Sequence, residues 1–147
     1  VAAVRDAVAT HRRVGSDGMA TPVIVGGRSM GGRMASIAVA GPGPGALDAD
    51  PALEVSGLIL LSYPLHPPGR PDRLRVEHLP RLRVPTLLVQ GTRDPFGTAQ
   101  DCRGYFETSE TSVTVVPIEG GRHDLGRHHD EVAEVVAGWV AALLASR

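Results

Sequence analysis

Four short apolar runs recur along the chain, each bounded by Gly or Pro: Val23 to Val25, Leu58 to Leu61, Thr86 to Val89 and Val113 to Ile118. None alternates cleanly with polar residues. Continuous Val, Ile and Leu is the pattern of parallel strands buried on both faces. Helical periodicity fills the spaces between them. Val1, Val4 and Val8 share one face of an opening helix, with Arg5, Asp6, Arg12 and Arg13 mostly off it. Gly32 to Ala40 and Gln100 to Glu107 read as further helices. From Asp130 to Ala145, the residues Val132, Val135, Val136, Trp139, Val140, Leu143 and Leu144 keep the spacing of an amphipathic helix. Strands alternating with helices predict an α/β fold: a parallel sheet flanked by helices and connected by right-handed crossovers.

Two loop regions punctuate this order. Gly41-Pro42-Gly43-Pro44-Gly45 stops the helix before it. Pro64 to Pro85 is rich in Pro and Arg, with at most one helical turn near Glu77 to Leu82. There is no internal repeat and no domain boundary, so the 147 residues read as a single domain over 1–147, long enough for a real core. The chain opens inside a helix, with no initiator Met and no strand before it. This predicts that N-terminal strands of the domain are missing, and it makes the lack of a targeting segment uninformative.

The chemistry centres on the junction between the first strand and the second helix. Gly27-Arg28-Ser29-Met30-Gly31 fits G-x-S-x-G, a strained turn that holds a serine hydroxyl out at the end of a sheet. Such a serine needs φ > 0, and small residues two positions either side let strand and helix cross closely, which assigns that role to Gly27 and Gly31. Other glycine loops fail on spacing: residues 26 to 32 hold no G-x-G-x-x-G, and no Gly-Lys-Ser/Thr ends a phosphate loop. A serine hydroxyl is a weak nucleophile without a base, and the base needs a third group to orient it. Reactive groups collect at the carboxyl ends of parallel strands. Asp94 follows the third run and His123 the fourth, so Ser29, Asp94 and His123 form the candidate triad. The Met30 backbone N–H, at the positive end of the elbow helix, is the candidate oxyanion donor.

The blocks GGRSMGGRMAS, GLILLSYPLHPPGRPDRLRVEHL, PTLLVQGTRDPFGT and EGGRHDL resemble the dienelactone-hydrolase-like branch of the α/β-hydrolases over nearly the whole chain. That branch includes a testis-expressed hydrolase-like protein, a subunit of a histone acetyltransferase complex and many bacterial members. The resemblance implies an α/β-hydrolase fold with nucleophile Ser29, acid Asp94 and base His123, in the family's chain order. Dienelactone hydrolases proper carry Cys at the elbow, so their chemistry does not transfer to Ser29. Relative to the family the first strands are absent, leaving the elbow strand as an open edge, and so is the loop that supplies a second oxyanion donor. One such donor is worth ~2.7–4 kcal/mol of transition-state stabilisation. The expected function is a serine hydrolase cleaving an ester, thioester or similar acyl bond of a small molecule, without a cofactor. The rivals are a catalytically silent scaffold or binding module on the same fold, and a gene fragment with no independent fold.

Composition narrows the partners. A formal charge of −1 gives no argument for nucleic acid or an anionic membrane, and no apolar run reaches membrane-span length. All fifteen basic residues are Arg, which reads as the codon bias of a GC-rich, bacterial genome. Arg28, Arg93 and Arg122 each stand one residue before a triad candidate, either as a cationic rim for anionic acyl groups or as surface residues. The five arginines from Arg70 to Arg83 are broken by Asp72 and Glu77 and lack aromatic partners, so they read as a solvated loop. His66, after the second strand, reads either as structural or as bordering the site. His123, Asp124, His128, His129 and Asp130 match no zinc spacing, and the last three read as a helix start. The single Cys102 excludes an internal disulfide, reads as a buried inert thiol and suits a reducing compartment, the cytoplasm. Oligomeric state leaves no trace in the sequence.

Overall fold

The computed structural model describes residues 1–11, 21–45 and 50–146. Helix α1 (Ala2–His11) leads to strand β1 (Ile24–Arg28) and helix α2 (Met30–Ala40). Strand β2 (Gly57–Leu61), a 3₁₀ turn (Leu79–Arg81), strand β3 (Thr86–Gly91) and helix α3 (Ala99–Phe106) follow. Strand β4 (Val113–Ile118), a second 3₁₀ turn (Gly126–His128) and helix α4 (His129–Ala145) close the chain. The strands form one four-stranded sheet in the order β1-β2-β3-β4, every pair parallel. All carboxyl ends therefore lie along the same edge.

The sheet is covered on both faces, which is why its central strands β2 and β3 are apolar on both sides over most of their length. Leu58, Leu60 and Leu88 pack with Ala35 and Val39 of α2 and Cys102 and Phe106 of α3. Their alternates Leu87 and Val89 pack with Ile118, Leu125 and Val132, joined by Ile59, Leu61 and Trp139. All six residues of β3 are buried. Strand β1 has a neighbour on one side only among the described residues, and a cavity of about 350 Å³ runs between it and α1. Of the expected α1 face, Val8 is buried and Val4 packs on the core, while Val1 is exposed. Arg12 and Arg13 lie outside the described residues.

The boundaries differ from the sequence reading in one informative place. The apolar run ends at Val25, yet β1 continues through Gly26, Gly27 and Arg28, paired in register with Ile59, Leu60 and Leu61. Backbone pairing carries a strand past its last apolar side chain. Helix α2 begins at Met30 rather than Gly32, directly after the serine. Among the described residues no helix is long and apolar enough to cross a membrane.

A buried polar pair lies beneath α2. The Ser36 hydroxyl donates its hydrogen to the Arg33 carbonyl at 2.8 Å, so the Ser36–His78 contact at 2.7 Å is an Nε2–H donated to the serine oxygen. Burial, aided by the charges of Arg33 and Arg81, pushes the His78 imidazole down to about 4. The folded chain thus binds fewer protons there than the unfolded chain, whose imidazole keeps the ordinary value of ~6.5. Its contribution is complete above that unfolded value and is lost as pH falls toward the folded one. Thermal melts at stepped pH should show the midpoint falling from pH ~6.5 to ~4, with the drop shallower in His78→Gln, which cannot gain the proton. Parallel pH curves for the two proteins would contradict this.

Candidate active site

The sharp change of direction between β1 and α2 is made at Ser29, which has φ 52° and ψ −123°. Its N–H donates to the Leu61 carbonyl at 2.8 Å, so the strained residue is held by the neighbouring strand. A side chain at Gly27 would put a Cβ 2.6 Å from the Gly31 carbonyl carbon and from the Gly32 nitrogen. The reciprocal glycine is Gly32, whose Cβ would fall 2.6 Å from the Gly27 carbonyl oxygen. This corrects the assignment of the second close-packing role to Gly31, where an added Cβ meets nothing within 4 Å. Gly31 faces solvent on the first turn, and the helix meets the strand one residue later.

The loops after β3 and β4 are tied to each other. Thr92 N–H donates to the Ile118 carbonyl at 3.0 Å, Arg93 N–H to the Gly121 carbonyl at 2.9 Å, and Gly120 N–H to the Thr92 hydroxyl at 2.9 Å. Any Cβ at Gly91 would collide with the Gly121 backbone. This contact sets Asp94 beside His123. His123 Nδ1 lies 3.0 and 2.9 Å from the two Asp94 carboxylate oxygens. An ionised carboxylate only accepts, so Nδ1 carries the hydrogen, which leaves Nε2 to accept from the Ser29 hydroxyl at 2.7 Å. The structure thus brings Ser29, His123 and Asp94 into one chain of hydrogen bonds. Met30, first residue of α2, sits beside them, in the turn whose N–H groups have no intrahelical acceptor.

Two contributors escaped the sequence reading. Gln90 is fully buried: its Oε1 accepts from the Tyr63 N–H at 2.7 Å, and its Nε2 donates to Asp94 Oδ2 at 3.0 Å and to the Gly97 carbonyl at 2.7 Å. A glutamine near the end of the largely apolar run TLLVQG was the available signal. Phe96 donates its N–H to Asp94 Oδ1 at 2.8 Å, and its ring stacks on His123 with centroids 4.0 Å apart. No spacing rule points to it. Ser62, at the end of β2, repeats the left-handed backbone of Ser29 with φ 51°.

The remaining candidates separate clearly. Arg28 donates to the His123 carbonyl at 3.2 Å, and Arg28 and Arg122 line a cavity with His123, which Arg93 does not. The His66 ring bonds locally, Nδ1 to the Pro67 carbonyl at 2.9 Å, while its backbone N–H donates to the Phe96 carbonyl at 3.1 Å. His128 precedes α4, as its sequence suggested, with Nδ1 3.1 Å from Glu131. Cys102 is buried, and burial pushes its thiol up to about 12, a thiol rather than a reactive thiolate. Among the described residues no group of three or more His, Cys, Asp or Glu is placed to hold a metal ion.

A family model described as an alpha/beta hydrolase domain matches residues 1–143. Est1E from Butyrivibrio proteoclasticus is similar in structure, with a TM-score of 0.63 at 18% identity over 87% of this chain and 64% of that one. Esterase 2 of Thermogutta terrifontis gives 0.58 at 20% identity, covering 82% of this chain and 55% of that one, and has also been solved phosphonylated by cyclosarin. The esterase domain of a Rhodothermus marinus protein gives 0.61 at 19%, covering 94% and 65%. At such identities the likeness is one of fold. The chain spans between 55% and 65% of the length of these structures.

Two sets of variants follow from the packing. Gly27→Ala should be destabilised by about 1–3 kcal/mol, as overpacked sites are, while Gly31→Ala should melt at or above the parent temperature. Gln90→Leu strands buried backbone groups and should lose about 1–3 kcal/mol in urea unfolding. A Gly27→Ala protein as stable as its parent would contradict the close crossing.

Proposed function

This chain belongs to the α/β-hydrolase domain family, and on that premise we propose that it is a serine hydrolase acting on an ester, thioester or similar acyl bond of a small molecule. The observation that carries the reading is the 2.7 Å contact from the Ser29 hydroxyl to His123 Nε2, with Asp94 on the opposite ring nitrogen. Ser29 Oγ attacks the acyl carbon while its proton passes to Nε2, and the imidazolium is stabilised by the Asp94 carboxylate. The developing oxyanion is received by the Met30 N–H at the start of α2. Collapse breaks the bond to the leaving group, which takes the proton from His123. Water then attacks the acyl-serine by the same proton route, releasing the acid and restoring the hydroxyl.

The surroundings support these roles. Asp94 is only 3% exposed, and its oxygens accept from His123, Gln90 and the Phe96 N–H. With that many donors around it the carboxylate is held in one orientation, as an orienting group must be. A fold retained only for scaffolding has no use for this alignment.

A fluorophosphonate probe read by intact mass should add one label to the chain and none to Ser29→Ala. Asp94→Asn should retain the fold but lose about 10⁴-fold in turnover of an activated ester, because the imidazole tautomer is no longer held. Absence of labelling in a cooperatively folded protein would overturn the catalytic reading and leave the scaffold in its place.

A further inference from the structure

Three arginines stand one residue before Ser29, Asp94 and His123, and the fold sorts them. Arg28 and Arg122 line one cavity of about 290 Å³ with Pro95, His123 and Asp124, and Arg93 is not among its lining residues. We propose that this cavity is an anion subsite, in which Arg28 and Arg122 hold a carboxylate carried by the ester substrate; as a statement of substrate class it rests on the reading of Ser29 as the nucleophile.

Charge is the first argument. Two arginines lining one cavity bring like charges into the same neighbourhood, and an anion bound between them offsets their repulsion. Three of the other described arginines have carboxylate partners, Arg5 at 3.4 Å from Asp50, Arg70 at 3.6 Å from Asp72 and Arg83 at 2.9 Å from Glu110. Among the described residues no ion pair joins Arg28 or Arg122 to a carboxylate. Asp124 is the one acidic residue in the lining, and its Oδ1 accepts from the Gly126 N–H at 3.1 Å. With a neutral imidazole the lining therefore keeps an excess of one positive charge.

Geometry is the second. One terminal nitrogen of Arg28 donates to the His123 carbonyl at 3.2 Å, which pins the planar group while leaving most of its five N–H donors free. A guanidinium fork matches a carboxylate in two parallel hydrogen bonds. Pro95 is the one apolar residue type in the lining, beside the charged and polar Arg28, Arg122, His123 and Asp124. The cavity also borders His123, the residue assigned to the leaving-group proton. A carboxylate bound in it lies close to the bond being cleaved, which selects short substrates: half-esters of small dicarboxylic acids, or esters whose alcohol bears the carboxylate.

Two matched pairs of esters test this and separate the two positions of the charge. Mono-para-nitrophenyl glutarate is compared with para-nitrophenyl pentanoate, and meta-carboxyphenyl butyrate with phenyl butyrate. In one pair the anionic member should be favoured about tenfold or more in kcat/KM, the worth of a charge-assisted contact. The Arg28→Gln/Arg122→Gln double variant should bring that ratio to parity, and Arg93→Gln should keep it. Parity in both pairs, or a preference that survives the double substitution, overturns the subsite while ester turnover itself leaves the serine hydrolase reading standing. If no ester is turned over and no fluorophosphonate is taken up, that reading fails separately. Calorimetric titration of the chain with glutarate then decides the subsite alone: binding abolished in the double variant supports it, and no binding to the parent overturns it.

Discussion

At the start of α2 two backbones cross with no side chain between them. The α-carbons of Gly27 and Gly32 carry only hydrogens there, and a methyl group on either would lie within 2.6 Å of the other segment. That approach lets a parallel strand become a helix within one residue, and it leaves Ser29 at φ 52° with its hydroxyl raised at the carboxyl edge of the sheet. Such a backbone costs on the order of 1–3 kcal/mol and persists only where its surroundings over-determine it. Here they do: the Leu61 carbonyl holds the Ser29 N–H at 2.8 Å, and α2 is anchored by Ala35, Val39 and Ala40 in the core. Were the crossing opened by a side chain, the hydroxyl would no longer be aimed at the imidazole.

A second constraint acts on the partners of that serine. The Asp94 carboxylate is almost wholly out of water, and an unpaired charge so placed costs several kcal/mol, on the order of that for a broken buried ion pair. Its oxygens are met by the Gln90 amide, the Phe96 N–H and the His123 ring. Gln90 also spans to the Tyr63 backbone and the Gly97 carbonyl, so the carboxylate is braced by the ends of two strands and by its own loop. Phe96 covers the imidazole on one face. Asp94 and His123 are thus held by buried side chains and backbone around them, which is how a loop-borne arrangement reaches the precision of a core.

Much of this was legible in the residues. Apolar runs without alternation located four strands to within a few positions, and the spacing of Val132, Val136, Trp139 and Leu143 marked α4. Ser29 was legible because a left-handed residue between strand and helix needs small neighbours, and Asp94 and His123 because they follow strand ends. These are local signals, carried by periodicity, turn chemistry and order along the chain. The misassigned glycine shows their limit: the pattern G-x-S-x-G names Gly31, whereas the crossing uses Gly32, since the contact depends on where the helix meets the strand.

By itself, then, the sequence determined the parallel α/β architecture, the turn that strains Ser29 and the three residue types that meet there, because each follows from short-range backbone preference and burial period. Only the tertiary structure decided that Gln90 braces Asp94, that Phe96 stacks on His123, that His78 gives its hydrogen to Ser36, and that two of three similar arginines share a cavity. Those are contacts between segments far apart in the chain, or directions of side chains within one loop. They are set by how the strand ends align and how the loops above them pack, and no spacing along the polypeptide encodes that geometry.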